Sequence, residues 1–183
     1  FGPDYLGFLA TCGLEVTITP YGEQHWERVS ELAQRTNQLN FSGHKYSHAD
    51  LLARLADPGL EKHVLDCRDK FGSYGTVGFA LVSRQPEEVF VQEFMLSCRV
   101  QGKFVEQIFF HFLTARGESR LLVNFHTTQR NQAARQTLAA LHFTFEAEQV
   151  WLDTRQHSLA CPFIRLYAPG HFQPDAANGA DGL

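Results

Sequence analysis

One stretch constrains the fold of this chain more than any other, because its apolar spacing changes from strand-like to helix-like across a short loop. Residues 88–98 have strand character, and residues 104–115 have the apolar spacing of a helix. Arg99 and Gly102 lie between them. A strand that turns over a glycine into a helix leaves backbone N–H groups unpaired, and these can hold an anion such as a phosphate. The stretch is therefore either a phosphate-binding loop or a plain strand-to-helix connection, and a short glycine pattern does not decide between them.

Composition restricts the kind of protein. The chain has 183 residues, 44% of them hydrophobic and 20% charged, which predicts one globular domain with a full core. The net charge is −4 and the charges are well mixed, so neither a nucleic acid nor a membrane surface is an expected partner. We expect a cytoplasmic protein, because no signal peptide or membrane-spanning run is visible and the cysteine pattern fits a reducing compartment.

No metal site is predicted. The four cysteines have no CxxC spacing, and the nine histidines show no metal-ligand pattern. His44 and His48 are four residues apart, but the predicted helix starts at the second of them, so the two rings need not share a face.

The order of predicted elements indicates an α/β domain with a mixed sheet and helices layered on it. Strands are predicted at residues 14–19, 62–70, 76–83, 88–98, 120–126, 143–152 and 162–168, and helices at 24–37, after Ser47, at 102–115 and at 131–141. We interpret residues 1–13 as a linker or the remnant of a preceding domain. We expect residues 14–168 to form the domain and residues 169–183 to be a mobile tail.

This element order resembles the GCN5-related N-acetyltransferase (GNAT) fold, a mostly antiparallel sheet with helices on both faces. In that family the central strand splays from its neighbour, and a loop of the pattern Arg/Gln-x-x-Gly-x-Gly/Ala binds the pyrophosphate of coenzyme A. Arg99 and Gly102 match the pattern, whereas Phe104 stands where the family has a small residue. The resemblance implies that a thioester donor, coenzyme A or phosphopantetheine, contacts Leu96, Cys98, Arg99, Val100, Gly102, Lys103, Phe104 and Asn131.

Three local motifs narrow the resemblance to the carboxy-terminal half of FkbH-like proteins: residues 36–40, 68–75 and 96–100. That family joins a haloacid-dehalogenase-like (HAD-like) domain to a GNAT-like domain and supplies glyceryl units to acyl carrier proteins in polyketide biosynthesis. The resemblance therefore implies an acyl carrier protein and a HAD-like domain as partners. The Asp-x-Asp-x-Thr/Val nucleophile motif of the HAD-like domain is absent from the sequence, so phosphatase-type glyceryl transfer is not expected of this chain.

The motif at residues 36–40 has two interpretations. Thr36, Asn37, Gln38 and Asn40 form a polar cluster that would line an acceptor cleft. Alternatively, the cluster is a loop that ends a helix, with side chains that satisfy the freed backbone groups. In the second motif, a salt bridge between Arg68 and Asp69 is expected to fix the hairpin turn.

Catalytic groups are harder to place. The family's acid is often a tyrosine on the helix after the fifth strand, and Leu138 occupies that position, so the usual proton donor is missing. Strand alternation puts Glu93 with Met95 on one face and Gln92 on the other. Glu93 is thus a candidate general base with a raised pKa, or a solvent-facing sheet residue.

Two further side chains are candidates. His126 ends the strand before the last helix and faces the expected cleft, so it is a candidate replacement for the missing acid. Cys98 beside Arg99 is either an acyl-accepting thiol or a buried structural cysteine. Two functions stay open: an acyltransferase that uses a thioester donor with a degenerate site, or a non-catalytic module that docks an acyl carrier protein.

Overall fold

The structure is a computed structural model that describes residues 2–147 and 149–170. The helices of this part are α1 (Pro3–Cys12), α2 (Trp26–Arg35), α3 (His48–Ala56), α4 (Val105–Leu113) and α5 (Gln132–Ala140). Its strands are β1 (Leu14–Pro20), β2 (Glu61–Asp69), β3 (Gly72–Gln85), β4 (Glu88–Leu96), β5 (Arg120–Val123), β6 (Thr144–Phe145), β7 (Val150–Asp153) and β8 (Ile164–Tyr167). The predicted strand at 143–152 is instead divided into β6 and β7, because the chain turns back between them and Glu146 N–H donates to the Gln149 carbonyl at 2.8 Å.

The strands form one mixed sheet in the order β6-β7-β5-β4-β3-β2-β1-β8. The pairs β1–β8 and β4–β5 are parallel, and the other neighbours are antiparallel. The sheet is mostly antiparallel because β2, β3 and β4 follow one another through short turns. The predicted α/β fold is confirmed.

Helices cover both faces of the sheet. On one face α2 and α3 bury Val29, Leu32 and Leu51 with Phe79 and Met95 of the sheet. On the other face α1, α4 and α5 bury a larger cluster rich in phenylalanine. This two-sided burial explains why the central strands read as nearly continuous apolar runs.

The structure describes nearly all of the expected linker, residues 1–13, but little of the expected tail. The segment expected to be a linker forms α1, and its Leu9 and Cys12 side chains are buried in the core. Gly13 ends this helix in the left-handed conformation, with φ at 63°, and the chain then enters β1. Most of the expected mobile tail, residues 171–183, lies outside the described residues.

The feature that positions the candidate site is the separation of β4 from β5. Their parallel pairing runs from Glu88 with Arg120 to Val91 with Val123, and then it stops. β4 continues to Leu96 without this neighbour. A β-bulge opposite β3 accompanies the change, between Leu81 and Val82. The freed edge of β4 therefore needs another hydrogen-bonding partner.

The bulge also changes which side chains share a face. Gln92 accepts a hydrogen bond from Arg54 of α3 at 2.6 Å, so it lies on the same face as the helices α2 and α3. The predicted alternation put Gln92 on the opposite face from Glu93. That prediction was wrong at this residue, because the bulge inserts one extra position.

Candidate functional site

The chain itself covers the freed edge of β4. Asn40 forms an antiparallel bridge with Met95, Phe41 N–H donates to the Phe94 carbonyl at 3.1 Å, and Leu96 N–H donates to the Leu39 carbonyl at 3.0 Å. Residues 38–43, here called the wedge segment, thus lie along β4 where β5 has left it. The resemblance implies that the donor's pantetheine lies between the separated strands β4 and β5. In this structure the backbone of the wedge segment bonds to that edge of β4 instead.

Asn131 fixes the wedge segment from the other side. Its side chain is 1% exposed, and its Nδ2 donates to the carbonyls of Asn40 at 3.0 Å and His126 at 2.8 Å. Its Oδ1 accepts the Thr128 N–H at 2.8 Å. Asn131 was predicted to contact a cofactor. Its polar atoms bond instead to the backbone, and so it holds the wedge segment, the end of β5 and the start of α5 together.

The predicted substrate cluster separates into two parts. Asn40 is buried and closes a turn, accepting the Gly43 N–H at 3.0 Å and donating to the His44 carbonyl at 2.8 Å. Thr36 is also buried, at the end of α2. For these two residues the structure matches the alternative interpretation, a helix-ending loop. Asn37 and Gln38 line an open cleft of about 640 Å³ beside α2.

The residues after β4 also divide between core and cleft. Leu96 and Val100 are fully buried, so their side chains belong to the core, and Leu96 also lines the cleft beside α2. Cys98 is an exposed free thiol on the wall of the α2 cleft, so its interpretation as a buried structural cysteine was wrong. The side chain is exposed because Cys98 begins a 3₁₀ turn after the strand has ended. Arg99 lines the same cleft, with its Nε 3.4 Å from Ser97 Oγ.

The carboxylate of Glu93 on β4 is buried and makes several hydrogen bonds. The side chain is 2% exposed and accepts hydrogen bonds from Ser42 Oγ, from His44 Nδ1 at 2.9 Å and from the Tyr46 hydroxyl at 2.5 Å. Burial first, and then the bond to Glu93, raises the pKa of Tyr46, so the phenol stays protonated and keeps donating. Glu93 is therefore not a solvent-facing residue. Its oxygens are occupied, which makes it a group that positions His44 and not a free base.

His44 is the exposed member of this cluster. Its side chain is 56% exposed, and its Nδ1 is held by Glu93. No described residue, in 2–147 or 149–170, forms a hydrogen bond with its Nε2. The rings of His44 and His126 are 6.1 Å apart between centroids, and both are accessible to solvent. A buried carboxylate that orients an exposed imidazole is a general-base arrangement.

The prediction of catalytic residues missed His44. In the sequence, His44 was weighed only as a metal ligand. Within the described residues, no group of three or more metal-ligating side chains forms. A usable signal was the spacing of Ser42, His44 and Tyr46 at alternate positions, which allows three donors to point to one side. That spacing does not reveal their acceptor, because Glu93 is about fifty residues further along the chain.

The predicted phosphate loop is closed by its own contacts. The N–H groups of Val100, Gln101 and Lys103 donate to the carbonyls of Ser97, Cys98 and Val100, at 3.0–3.1 Å. Gly102 is left-handed, with φ at 79°, and its carbonyl accepts the Tyr5 hydroxyl at 3.0 Å. Several amides that would cradle a phosphate are thus already used.

Lys103 was predicted to hold the phosphate end of a donor. Its ammonium lies instead 3.4 Å from Asp69 Oδ2 and over the ring of Tyr74. Asp69 is buried and also accepts the Tyr74 hydroxyl at 2.7 Å. The expected bridge between Arg68 and Asp69 does not form, because Arg68 pairs with Glu15 at 3.3 Å. The hairpin motif therefore anchors Lys103 away from the loop amides.

Phe104 and Glu106 also do not suit a pyrophosphate. Phe104 is left-handed, with φ at 62°, and its ring packs on Phe163. Both residues line a cavity of about 260 Å³ between α4 and α5, with Gln101 and Gly102. Glu106 Oε2 is buried and has no hydrogen-bond partner among the described residues. The ionised form of this carboxyl group would repel an anion, and Phe104 fills the position of a small residue, so the residues present do not fit the pyrophosphate of coenzyme A.

Burial raises the pKa of Glu106 to about 7, from 4.5. An acid whose pKa is raised on folding binds more protons in the folded state between pH 4.5 and 7, so stability falls as the pH rises through that window. We expect Glu106→Gln to flatten this dependence and to raise the free energy of unfolding at pH 8 by about 1–3 kcal/mol. Urea denaturation at pH 5 and pH 8 measures both effects.

The exposed Glu146 supplies the matched control for that experiment. Glu146→Gln makes the same chemical change without removing a buried carboxyl, and it should leave the difference between pH 5 and pH 8 as in the native protein. An unchanged pH dependence in Glu106→Gln would contradict the assignment of the titrating group.

The likeness of this chain to known proteins lies in its three-dimensional structure. No family model matches the chain, and no curated protein matches it. Solved structures with similar folds include a domain from Methanocaldococcus jannaschii, with a TM-score of 0.56 and 12% identity, which covers 76% of this chain and 99% of that one. The PaiA N-acetyltransferase from Thermoplasma acidophilum in complex with coenzyme A has a TM-score of 0.52 and 12% identity, with 74% of this chain and 96% of that one covered. The ribosomal-protein-S18-alanine N-acetyltransferase from Escherichia coli has a TM-score of 0.52 and 12% identity, with 74% of this chain and 89% of that one covered. At this identity the likeness concerns the fold alone: the chain has the fold of these N-acetyltransferases, in agreement with the predicted fold class.

None of the helices in the described part of the chain has the length and apolar character that crossing a bilayer requires.

Proposed function

We propose that this chain is an acyltransferase-type domain that acts on a thioester, with His44 as its general base and Glu93 as the residue that positions it. One observation carries the proposal. A 2%-exposed carboxylate holds Nδ1 of an imidazole that is 56% exposed, at the place where β4 and β5 separate. Holding a carboxylate in the core costs free energy unless it is well bonded, and here three donors satisfy it.

The chemistry follows from this geometry. Glu93 fixes the tautomer with a proton on Nδ1, which leaves Nε2 of His44 as the acceptor. His44 then takes the proton from the acceptor nucleophile as its bond to the acyl carbon forms. The carbon–sulfur bond breaks, and the leaving thiolate takes a proton from the imidazolium. His126, exposed and 6.1 Å away between ring centroids, is the second group able to give that proton.

A phosphopantetheine thioester on an acyl carrier protein suits this domain better than free coenzyme A. Lys103 is paired with Asp69, and Phe104 occupies the small-residue position. Glu106, whose Oε2 has no hydrogen-bond partner among the described residues, lines the cavity between α4 and α5. A carrier protein brings its own docking contacts, so its pantetheine arm does not depend on a site for the pyrophosphate. This donor agrees with the FkbH-like motifs, and we place the activity in the supply of acyl or glyceryl units to polyketide biosynthesis, beside a HAD-like partner domain.

A second candidate function is a non-catalytic module that docks the carrier protein. The wedge segment favours it, because Leu39 and Phe41 bond to the edge of β4 that a pantetheine arm would use. The fully buried Leu138 favours it too, because it supplies no proton at the family's tyrosine position. In this case the cluster around Glu93 is a structural network.

Thioester turnover by the native domain separates the two functions. Acetyl- and glyceryl-loaded carrier proteins and acetyl-coenzyme A are incubated with it, and intact-protein mass spectrometry follows the loss of the acyl group. We expect loss from the loaded carrier proteins and little from coenzyme A. Co-elution with the carrier without turnover would select the docking module. Absence of both turnover and co-elution would overturn both functions.

A further inference from the structure

A second pocket opens beside His44, on the outer side of the wedge segment. Its volume is about 320 Å³. The lining residues are Asn37, Asn40, Gly43, Lys45, Thr128, Gln129 and Arg130. His44 stands between two of these residues in the chain, so the pocket and the imidazole share one short segment.

The lining of this pocket carries two positive charges and no negative one. Lys45 Nζ donates to the carbonyls of Gln34 at 3.0 Å and Thr36 at 2.6 Å, which are neutral partners. The Arg130 guanidinium has no ion pair or hydrogen bond within residues 2–147 and 149–170. Burial first, and then the charge of Arg130, lowers the pKa of Lys45, so the two cations act on each other without a counter-ion.

The walls of the pocket are held at a fixed distance. Gly43 has φ at 75°, and a Cβ on it would lie 2.8 Å from Thr128 Cγ2, so only glycine allows the two walls to approach this closely. On the opposite wall, Thr128 Oγ1 accepts the N–H groups of Arg130 at 3.2 Å and Asn131 at 3.1 Å. The cations are thus carried by segments whose backbone is fixed.

We propose that this pocket binds an oxyanion of the phosphate type through Lys45 and Arg130. Two like charges in one pocket repel each other, and an anion between them removes that repulsion. The side-chain amides of Asn37 and Gln129 and the Thr128 hydroxyl add neutral hydrogen-bonding groups to the lining. Assigning the anion to the substrate of His44 rests on the proposed function, whereas binding of the anion does not.

The phosphate has two possible sources, the phosphate of a carrier-bound pantetheine or that of a small phosphorylated acceptor. Titrations of the ¹⁵N-labelled chain with inorganic phosphate, 4′-phosphopantetheine and pantetheine distinguish them. We expect the amides of Gly43, Lys45 and Arg130 to shift with both phosphates and not with pantetheine. Tighter binding of 4′-phosphopantetheine than of phosphate assigns the site to the carrier's arm, and equal binding assigns it to a small acceptor.

Two variants test the cations. Arg130→Gln and Lys45→Gln should each weaken phosphate binding at least fivefold, and Arg155→Gln, which removes an exposed arginine paired with Asp153, should leave it unchanged. Because Lys45 also bonds carbonyls at the end of α2, Arg130→Gln decides the question if Lys45→Gln unfolds. Unaltered phosphate binding in Arg130→Gln, or shifts confined to the α2 cleft around Arg99, would overturn the site.

The outcomes for the site and for the function are separable. Phosphate binding without thioester turnover or carrier binding would retain the anion site and overturn the proposed function. Thioester turnover without phosphate binding would retain the function and overturn the anion site.

Discussion

Replacing Asn131 by alanine is expected to lower the free energy of unfolding by about 2–4 kcal/mol. The side chain is 1% exposed and makes three hydrogen bonds of 2.8–3.0 Å, all to backbone groups. Its removal leaves the carbonyls of Asn40 and His126 and the Thr128 N–H without these partners, and such groups are costly when water does not reach them. Urea denaturation followed by circular dichroism measures the change.

Asn37→Ala is the matched control for this prediction. Asn37 lies in the same polar motif, but its side chain is only partly buried and makes one long bond, 3.3 Å, to the Arg35 carbonyl. The control should change stability by less than about 0.5 kcal/mol. A similar loss in both variants would show that Asn131 has no special role in holding the wedge segment.

Hydrogen exchange gives a second measurement of the same variant. The amides of Phe41 and Leu96 pair the wedge segment with β4, and the Asn131 side chain holds that segment in place. In Asn131→Ala these two amides should exchange faster by a larger factor than those of the β2–β3 pair. Equal protection in the variant and the native chain would mean that burial of Leu39 and Phe41 is sufficient to keep the segment in place.

The sequence predicted the sheet and its helices well, because the signals for them are local. Alternating and continuous apolar runs, the Ser47 cap that accepts the Asp50 N–H at 3.1 Å, and the glycines at turns all act within a few residues. The division of residues 143–152 and the bulge at Gln92 were missed. Both features depend on which strand pairs with the segment in the sheet, and the β-propensity of the residues does not contain that information.

The candidate site depended more on contacts between distant residues. Glu93 could be selected from its place on the central strand, but its three donors come from residues 42–46. Leu39 and Phe41 alternate as in a strand, yet their pairing with β4 requires β5 to leave first. Lys103 looked available for a phosphate because its partner Asp69 precedes it by more than thirty residues. These features arise from tertiary contacts that no local pattern reports.

The pair His44 and Glu93 provides the largest expected effect on activity. If His44 is the general base, His44→Gln should lower thioester turnover about 10²–10⁴-fold. Stability should fall only modestly, because the ring is more than half exposed, although Glu93 loses the imidazole as one of its three donors. His157→Gln, at a partly buried histidine that stacks on His142, is the control and should keep native turnover.

Glu93→Gln tests the positioning role separately. The glutamine keeps the size of the side chain but offers one acceptor oxygen to the donors from Ser42, His44 and Tyr46. We expect a loss of stability of about 1–3 kcal/mol, together with a fall in turnover that is smaller than the fall for His44→Gln. A variant that loses stability but keeps native turnover would show that Glu93 is only structural, and His44 would then no longer be supported as the base.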